Sequence, residues 1–425
     1  MLDENEKNSE EMQLLEWRLG HLEPFFDVLP MPSGPMMHIC AAVPNGRALE
    51  KWPDFPAAAL PASGRLATGC GLTEVASRRS GIGEAVELMK CSVWGDEQLV
   101  SATASALGPC AIRPDRLNGF SINQMWFRER TNRILAGHDW VPAPFCADTP
   151  LDWIEADEAG TARRLYVSAD AVLIGLRKPG DAAATAVADS NGCACGPTPE
   201  SAKLAGLLEL IERDAVARWW FGKRKRPPLA VSVLDSQPEL CTYLTTRSRI
   251  CRLFEITTDL AVPVVAAASF EPDGTVVALG FAAKMDLATA ALAATVEMLA
   301  IETSLPPWRD VSGDPLTQDW VKQNRACNPP LFDGSSLADA VPTQSDGAPW
   351  QLDACINSLL THNCQVLFID LSRGDARAPV FKVISPELCH IKPRFGKARL
   401  LDQDSRDLEP IKGIFDEAGA KPILQ

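Results

Sequence analysis

Residues 189–215 run Asp189-Ser190-Asn191-Gly192-Cys193-Ala194-Cys195-Gly196-Pro197-Thr198-Pro199-Glu200-Ser201-Ala202-Lys203-Leu204-Ala205-Gly206-Leu207-Leu208-Glu209-Leu210-Ile211-Glu212-Arg213-Asp214-Ala215. Glycines punctuate the first part, and the character changes at Thr198-Pro199-Glu200. A hydroxyl, a proline and an acid in that order make a helix start: cap, first helical position, first-turn carboxylate. The spacing predicts a helix from about Thr198 to Trp220, with Leu204, Leu207, Leu208, Ile211, Val216 and Trp219 as its apolar stripe. Glu209, Glu212 and Arg213 sit on the same helix, and carboxylates on a helix so rich in core residues are seldom bare surface. Two readings stay open at this point. One is a Glu–Arg pairing within the helix; the other is oxygen ligation of magnesium, with the arginine fork on a phosphate. The turn before the helix, Ser190 to Gly196, is either an ordinary loop or a place where backbone N–H groups meet an anion.

Working outward, residues Thr73 to Lys90 predict another long helix, capped by Thr73. Ser80, Glu84 and Glu87 fall on it at i, i+4 and i+7, so they project from nearly one face. Like charges so placed weaken a helix unless bases or a cation compensate them. Strands are predicted at Val262–Ser269 and Thr275–Phe281, leading into a third helix over Asp286–Ser304. The apolar run Gln365–Leu371 reads as a fully buried strand. Further strands are expected at Met37–Val43, Leu165–Ala169 and Ala171–Leu176, with an extended segment over 140–144 and a short helix near Glu10–Leu19. This mixture implies an α/β or α+β domain over most of the chain.

Composition excludes several functions. The chain carries 55 acidic and 41 basic side chains, a formal net charge of −14, which argues against nucleic acid as a partner. Its one basic run, Lys223 to Arg226, reads as a solvated helix end and turn. Thirteen cysteines lie scattered without a CxxC pair, and five histidines lie far apart without an HExxH. That pattern reads as the reduced interior of a cytoplasmic protein rather than a disulfide framework or a zinc site. The acidic start lacks the basic region of a signal peptide, and Leu287–Ala300, the most apolar helical stretch, reads as too short to span a membrane. There is no Walker GxxxxGK[ST] and no GxGxxG after a strand.

The quoted stretch from Asp189 to Ala215 resembles the central signature of the YcaO family. Ser80-x-x-x-Glu84-x-x-Glu87 is similar to that family's first ATP-site motif. Trp219-Trp220, Asp286…Glu297 after Ala278-Leu279-Gly280-Phe281, Phe368–Ser372 and Pro393–Leu400 resemble the members that modify ribosomal peptides. The resemblance implies mixed sheets packed with helices and an ATP site between acidic helices. It divides the chain into an N-terminal segment 1–65, a YcaO-like ATP-binding catalytic domain 66–402 and a tail 403–425.

The implied reaction is peptide cyclodehydration. A Cys, Ser or Thr side chain attacks the preceding backbone carbonyl, ATP phosphorylates the oxyanion, and loss of phosphate leaves an azoline. By the resemblance, Ser80, Glu84, Asn191 and Arg213 would contact nucleotide, joined by Arg309, and Glu87, Glu209 and Glu212 would hold Mg2+, with Glu200 as a further ligand. Implied partners are a precursor peptide with a leader, an E1-like leader-binding protein, a flavin-dependent dehydrogenase and a second copy in a homodimer. The pattern departs from the family at Ser201, where an acid is usual, at Leu88 and Ala300, and in the plain C-terminus. Those departures leave thioamide or amidine formation, or a lapsed scaffold subunit, as alternatives to azoline formation.

Overall fold

The computed structural model describes residues 20–135, 139–226, 228–305, 315–328, 331, 351–373 and 378–401. The helix expected near Glu10–Leu19, Arg309 and the tail 403–425 lie outside the described residues. The chain divides into two compact units: Met1–Met31, His38–Leu210 and Leu352–Glu387 form one, and Pro32–Met37, Ile211–Gln351 and Leu388–Gln425 the other.

In the first unit β1 (Phe26–Met31), β2 (His38–Pro44) and β3 (Ala67–Gly71) make an antiparallel sheet in that order. Helix α1 (Glu74–Cys91) starts at Thr73, whose hydroxyl accepts the Ala76 N–H at 3.1 Å. It buries Ile82, Ala85, Val86 and Met89. The helix lies so close to β3 that a Cβ on Gly69 would sit 2.1 Å from the Gly81 nitrogen.

A second sheet of the same unit contains seven strands: β4 (Val100–Thr103), β5 (Ala111–Ile112), β6 (Pro150–Glu158), β7 (Arg164–Ser168), β8 (Cys193–Cys195), β13 (Leu367–Asp370) and β14 (Val380–Ile384). Their order is β5-β7-β6-β13-β14-β8, with β4 also on β6. The pairing is antiparallel except between β5 and β7. Register places Lys382 of β14 opposite Cys193 of β8.

The second unit holds β9 (Pro228–Leu229), β10 (Ile250–Glu255), β11 (Val264–Phe270) and β12 (Ala278–Ala283), an antiparallel sheet of order β12-β11-β10-β9. Both β11 and β12 are buried along their whole length. Helix α3 (Leu287–Ser304) is capped by Asp286, which accepts the Thr289 N–H at 2.8 Å. A Cβ on Gly280 of β12 would fall 2.2 Å from the Met298 nitrogen, so strand and helix backbones touch here too. At 18 residues and mean hydropathy 1.3, α3 is long and apolar enough, by length and composition alone, to cross a membrane. The helix runs to Ser304 as expected, so the apolar stretch is not limited to Leu287–Ala300; Ala290, Ala291, Ala294 and Met298 on it are buried.

Helix α2 (Pro199–Trp220) belongs to the first unit through Leu210 and to the second from Ile211. The Thr198 hydroxyl accepts the Ser201 N–H at 3.1 Å, which is the expected cap. The basic run after α2 begins in a turn, with Lys223 at φ 50° and both Lys223 and Lys225 exposed. Ala171–Leu176, expected as a strand, is not one. Its Val172, Leu173 and Ile174 are buried in a turn after a short 3-10 segment, and only Ile174 bridges, to Ser92. Burial, rather than sheet pairing, accounts for their apolarity. The segment 140–144 also lies outside any strand; Asn132 holds it by accepting the Val141 N–H at 2.7 Å and donating to its carbonyl at 3.0 Å. All thirteen cysteines are free thiols.

Candidate active site

In the first unit, α1 carries Ser80, Glu84 and Glu87, with Ser80 and Glu84 exposed and Glu87 half-buried. Glu87 Oε1 accepts the Cys195 N–H of β8 at 2.8 Å. Glu209, on α2, accepts the Gly192 N–H through Oε2 at 3.1 Å. Burial pushes the Glu87 carboxyl well above the ordinary range, and the charge of Glu84 adds to it; the Cys195 N–H opposes this, while Glu209 and Cys193 raise it further. Three carboxylates thus share one neighbourhood that favours a positive charge.

The preceding turn supplies polar groups of its own. Asn191 donates its backbone N–H to Asp189 Oδ1 at 3.2 Å, and its side-chain Oδ1 is buried with no hydrogen-bond partner among the described residues. Buried Lys382 donates to the Asp189 carbonyl at 2.7 Å. Burial alone would lower the lysine pKa, but Cys193, Asp189, Cys91 and Glu209 together raise it. Its ammonium is therefore charged at neutral pH.

The second unit repeats the device. Glu212 of α2 accepts the Ala283 N–H at 3.3 Å, and Glu297 of α3 accepts the Phe281 N–H at 2.5 Å. Both donors belong to β12. Arg213 Nη1 lies 3.3 Å from Glu212 Oε1. Burial and then the Glu212 charge push the Glu297 carboxyl up to about 7, against the lowering effects of Arg213, the Phe281 N–H and Lys284.

Behind these residues α2 is clamped by Asp214. This fully buried carboxylate accepts the Cys389 N–H at 2.9 Å and the Arg399 guanidinium at 2.8 Å. Asp259 accepts from Arg399 as well, at 2.8 and 2.9 Å, and pairs with Arg218. One partner of such a network lost leaves a buried charge uncompensated, so the turn bearing Glu212 and Arg213 is fixed in rotation.

Four glutamates therefore accept backbone N–H groups while keeping further lone pairs for another ligand. Their donor set is all oxygen, and neighbouring carboxylates raise both Glu87 and Glu297, which fits Mg2+. Among the described residues no group of three or more His, Cys, Asp or Glu closes on a single point. Magnesium takes one or two carboxylates and completes its shell with water and phosphate oxygens.

The sequence-predicted residues fall as follows. Ser80, Glu84, Glu87, Asn191 and Glu209 belong to the first unit, where Glu84, Glu87 and Glu209 share a neighbourhood, and Glu212 and Arg213 belong to the second. Glu200 stays apart: it is exposed in the first turn of α2, and nine residues before Glu209 means about 180° around the helix. Ser201, where the family has an acid, spends its hydroxyl on the cap, accepting the Thr198 N–H at 2.9 Å. Leu88 packs on the core. Glu297 enters the sequence reading only within the Asp286…Glu297 resemblance, with no role assigned, and Lys382 does not enter it. The available signal was an acid amid the Ala- and Leu-rich middle of α3 and a lone lysine in the apolar β14.

A family model described as YcaO cyclodehydratase, ATP- and Mg2+-binding, matches residues 68–389. Among solved structures, a heterocyclase in complex with substrate and cofactor superposes with TM-score 0.79 at 26% identity, over 91% of this chain and 54% of that one. The heterocyclase TruD gives 0.65 at 27%, over 90% and 53%. The chain thus spans about half the length of these two relatives. YcaO from Methanopyrus kandleri, bound with AMPPCP and Mg2+, shares the fold with TM-score 0.59 at 19% identity, over 89% of this chain and 91% of that one. Matched over most of its length, the chain belongs to the YcaO cyclodehydratase family, which binds ATP and Mg2+.

Proposed function

We propose that this chain is an ATP- and Mg2+-dependent cyclodehydratase that converts Cys, Ser or Thr of a ribosomally made precursor peptide into thiazoline or oxazoline. The observation that carries the reading is the set of four glutamates, Glu87, Glu209, Glu212 and Glu297, each held on a backbone N–H beside another carboxylate. In this reading Glu87 and Glu209 of the first unit hold magnesium, as does Glu212 of the second, where Glu297 stands beside it. Ser80, Glu84, Asn191 and Arg213 contact nucleotide.

The side-chain thiol or hydroxyl of the peptide adds to the preceding carbonyl carbon. The resulting oxyanion takes the γ-phosphoryl group of ATP, releasing ADP. Phosphate then leaves with the former amide oxygen as the C=N bond forms and the amide nitrogen loses its proton. Bound magnesium supplies charge neutralisation on the phosphate oxygens. This chain's own groups fix the carboxylates, present the Arg213 guanidinium and offer the Asn191 amide oxygen, so positioning does most of the work.

The same reading takes as partners a precursor with a leader, an E1-like leader-binding protein and a flavin-dependent dehydrogenase that oxidises azoline to azole. It places the enzyme in the cytoplasm, where thirteen free thiols stay reduced. Incubation of the chain with its leader-binding partner, precursor, MgCl2 and ATP tests it. The expected result is loss of one water per modified residue with matching phosphate release. Phosphate release without that mass change would reject azoline formation.

A further inference from the structure

Residues 121–134 hold large apolar side chains in solvent. Ile122 is 83% exposed, Trp126 81%, Phe127 51% and Ile134 46%. The display is built rather than frayed. Ser121 and Gln124 form a reciprocal capping box, at 3.2 and 3.0 Å, that starts the Ile122–Trp126 helix. The following Arg128–Ile134 helix is tied to the returning chain through Asn132 and Val141. Ile122 and Trp126, at i and i+4, share one face. Arg128, Arg130 and Arg133 rim the patch against a single acid, Glu129. A groove of about 660 Å³ lined by Arg128, Glu129, Asn132, Arg133 and Trp140 runs beside it. Four large apolar side chains exposed within fourteen residues mark this segment as an interaction surface.

The charge of the patch selects its occupant. It is basic in a chain whose formal net charge is −14. One segment of this same chain is its complement. Residues 1–19 carry Asp3, Glu4, Glu6, Glu10, Glu11 and Glu16 against Lys7 and Arg18, and Met12, Leu15 and Leu19 recur at i, i+3 and i+7 with Trp17 beside them. These residues lie outside the described structure. We propose that the acidic N-terminal segment, residues 1–19, docks on the Ile122–Ile134 surface of its own chain. Its apolar residues complement Ile122 and Trp126, and its carboxylates complement Arg128, Arg130 and Arg133. Covalent linkage gives the segment an effective concentration in the millimolar range (about 1 mM), so weak contacts suffice.

The test uses the full chain with the photoreactive amino acid p-benzoylphenylalanine in place of Ile122. Irradiation is expected to join position 122 to residues 1–19, with no mixed-isotope product when 14N- and 15N-labelled chains are combined. In parallel, the triple variant Glu10→Lys, Glu11→Lys, Glu16→Lys is expected to speed amide hydrogen exchange over residues 122–134 by about threefold or more. A mixed-isotope cross-link would assign the surface to a second copy and overturn the proposal. So would cross-links elsewhere or none, or unchanged exchange in the triple variant. Retention of the chain on phosphatidylglycerol vesicles, abolished by Trp126→Ser, would assign the surface to a membrane and overturn it as well.

Discussion

A carboxylate that accepts a backbone N–H is fixed in place, and Glu87 and Glu209 in the first unit and Glu212 and Glu297 in the second owe their aim to such bonds. Replacing one by its amide removes the charge and keeps the shape. Glu209→Gln is expected to lower the kcat/KM of ATP turnover by about 100-fold or more, with unchanged thermal unfolding, read by phosphate release. Glu297→Gln is expected to raise the Mg2+ concentration needed for half-maximal turnover, since it removes a carboxylate beside Glu212. Glu200→Gln is expected to stay within about twofold of the parent, because Glu200 is exposed on the far side of α2. At this scale the sequence was informative where function repeats along a helix. Ser80, Glu84 and Glu87 share a face by spacing, and so do Glu209 and Glu212. Glu297 received no role from the sequence because no second acid lies one turn from it on α3 and its partner Glu212 is 85 residues away in the chain. Only the register of β12, which presents Phe281 and Ala283 to the two acids, brings them together.

Elements were legible in proportion to their regularity. The three long helices were placed within a residue or two because capping residues announce them: Thr73, Thr198 and Asp286 each accept an N–H three residues on. Strand β3 was missed, since Ala67-Thr68-Gly69-Cys70-Gly71 has the composition of a turn. Its glycines serve close packing against α1 rather than a bend, which sequence alone does not distinguish. Gly69→Ala is expected to destabilise the first unit by about 3 kcal/mol or more, measured by urea unfolding, because both opposing atoms are backbone and neither can yield. The clamp on α2 gives a prediction in pH. Burial alone would raise Asp259, but the Arg399 and Arg218 guanidinium groups overcome it and hold the carboxyl far below its ordinary value of 3.8. A depressed acid stabilises the fold above its unfolded pKa, and that contribution fades as pH falls through 3.8 toward the folded value. Asp259→Asn is therefore expected to lose about 2 kcal/mol at neutral pH, discounted for its partial exposure, with the gap narrowing below about pH 4.

At the scale of the molecule, the mixed helix-and-strand character was readable from the sequence. The division into two units, each interleaved from distant stretches of chain, was not. Local periodicity carries no information on which strands 180 residues apart will pair, as β8 and β14 do. Among the described residues, helix α2 is the long helix that contributes to both units, with Glu209 in one and Glu212 in the other. The central claim is that this apparatus transfers a phosphoryl group to a peptide amide oxygen. A precursor labelled with 18O in the reacting backbone carbonyl tests it most directly. The account predicts that the label leaves the peptide and appears in inorganic phosphate, one atom per ring formed; label found in water or retained in the product would contradict it.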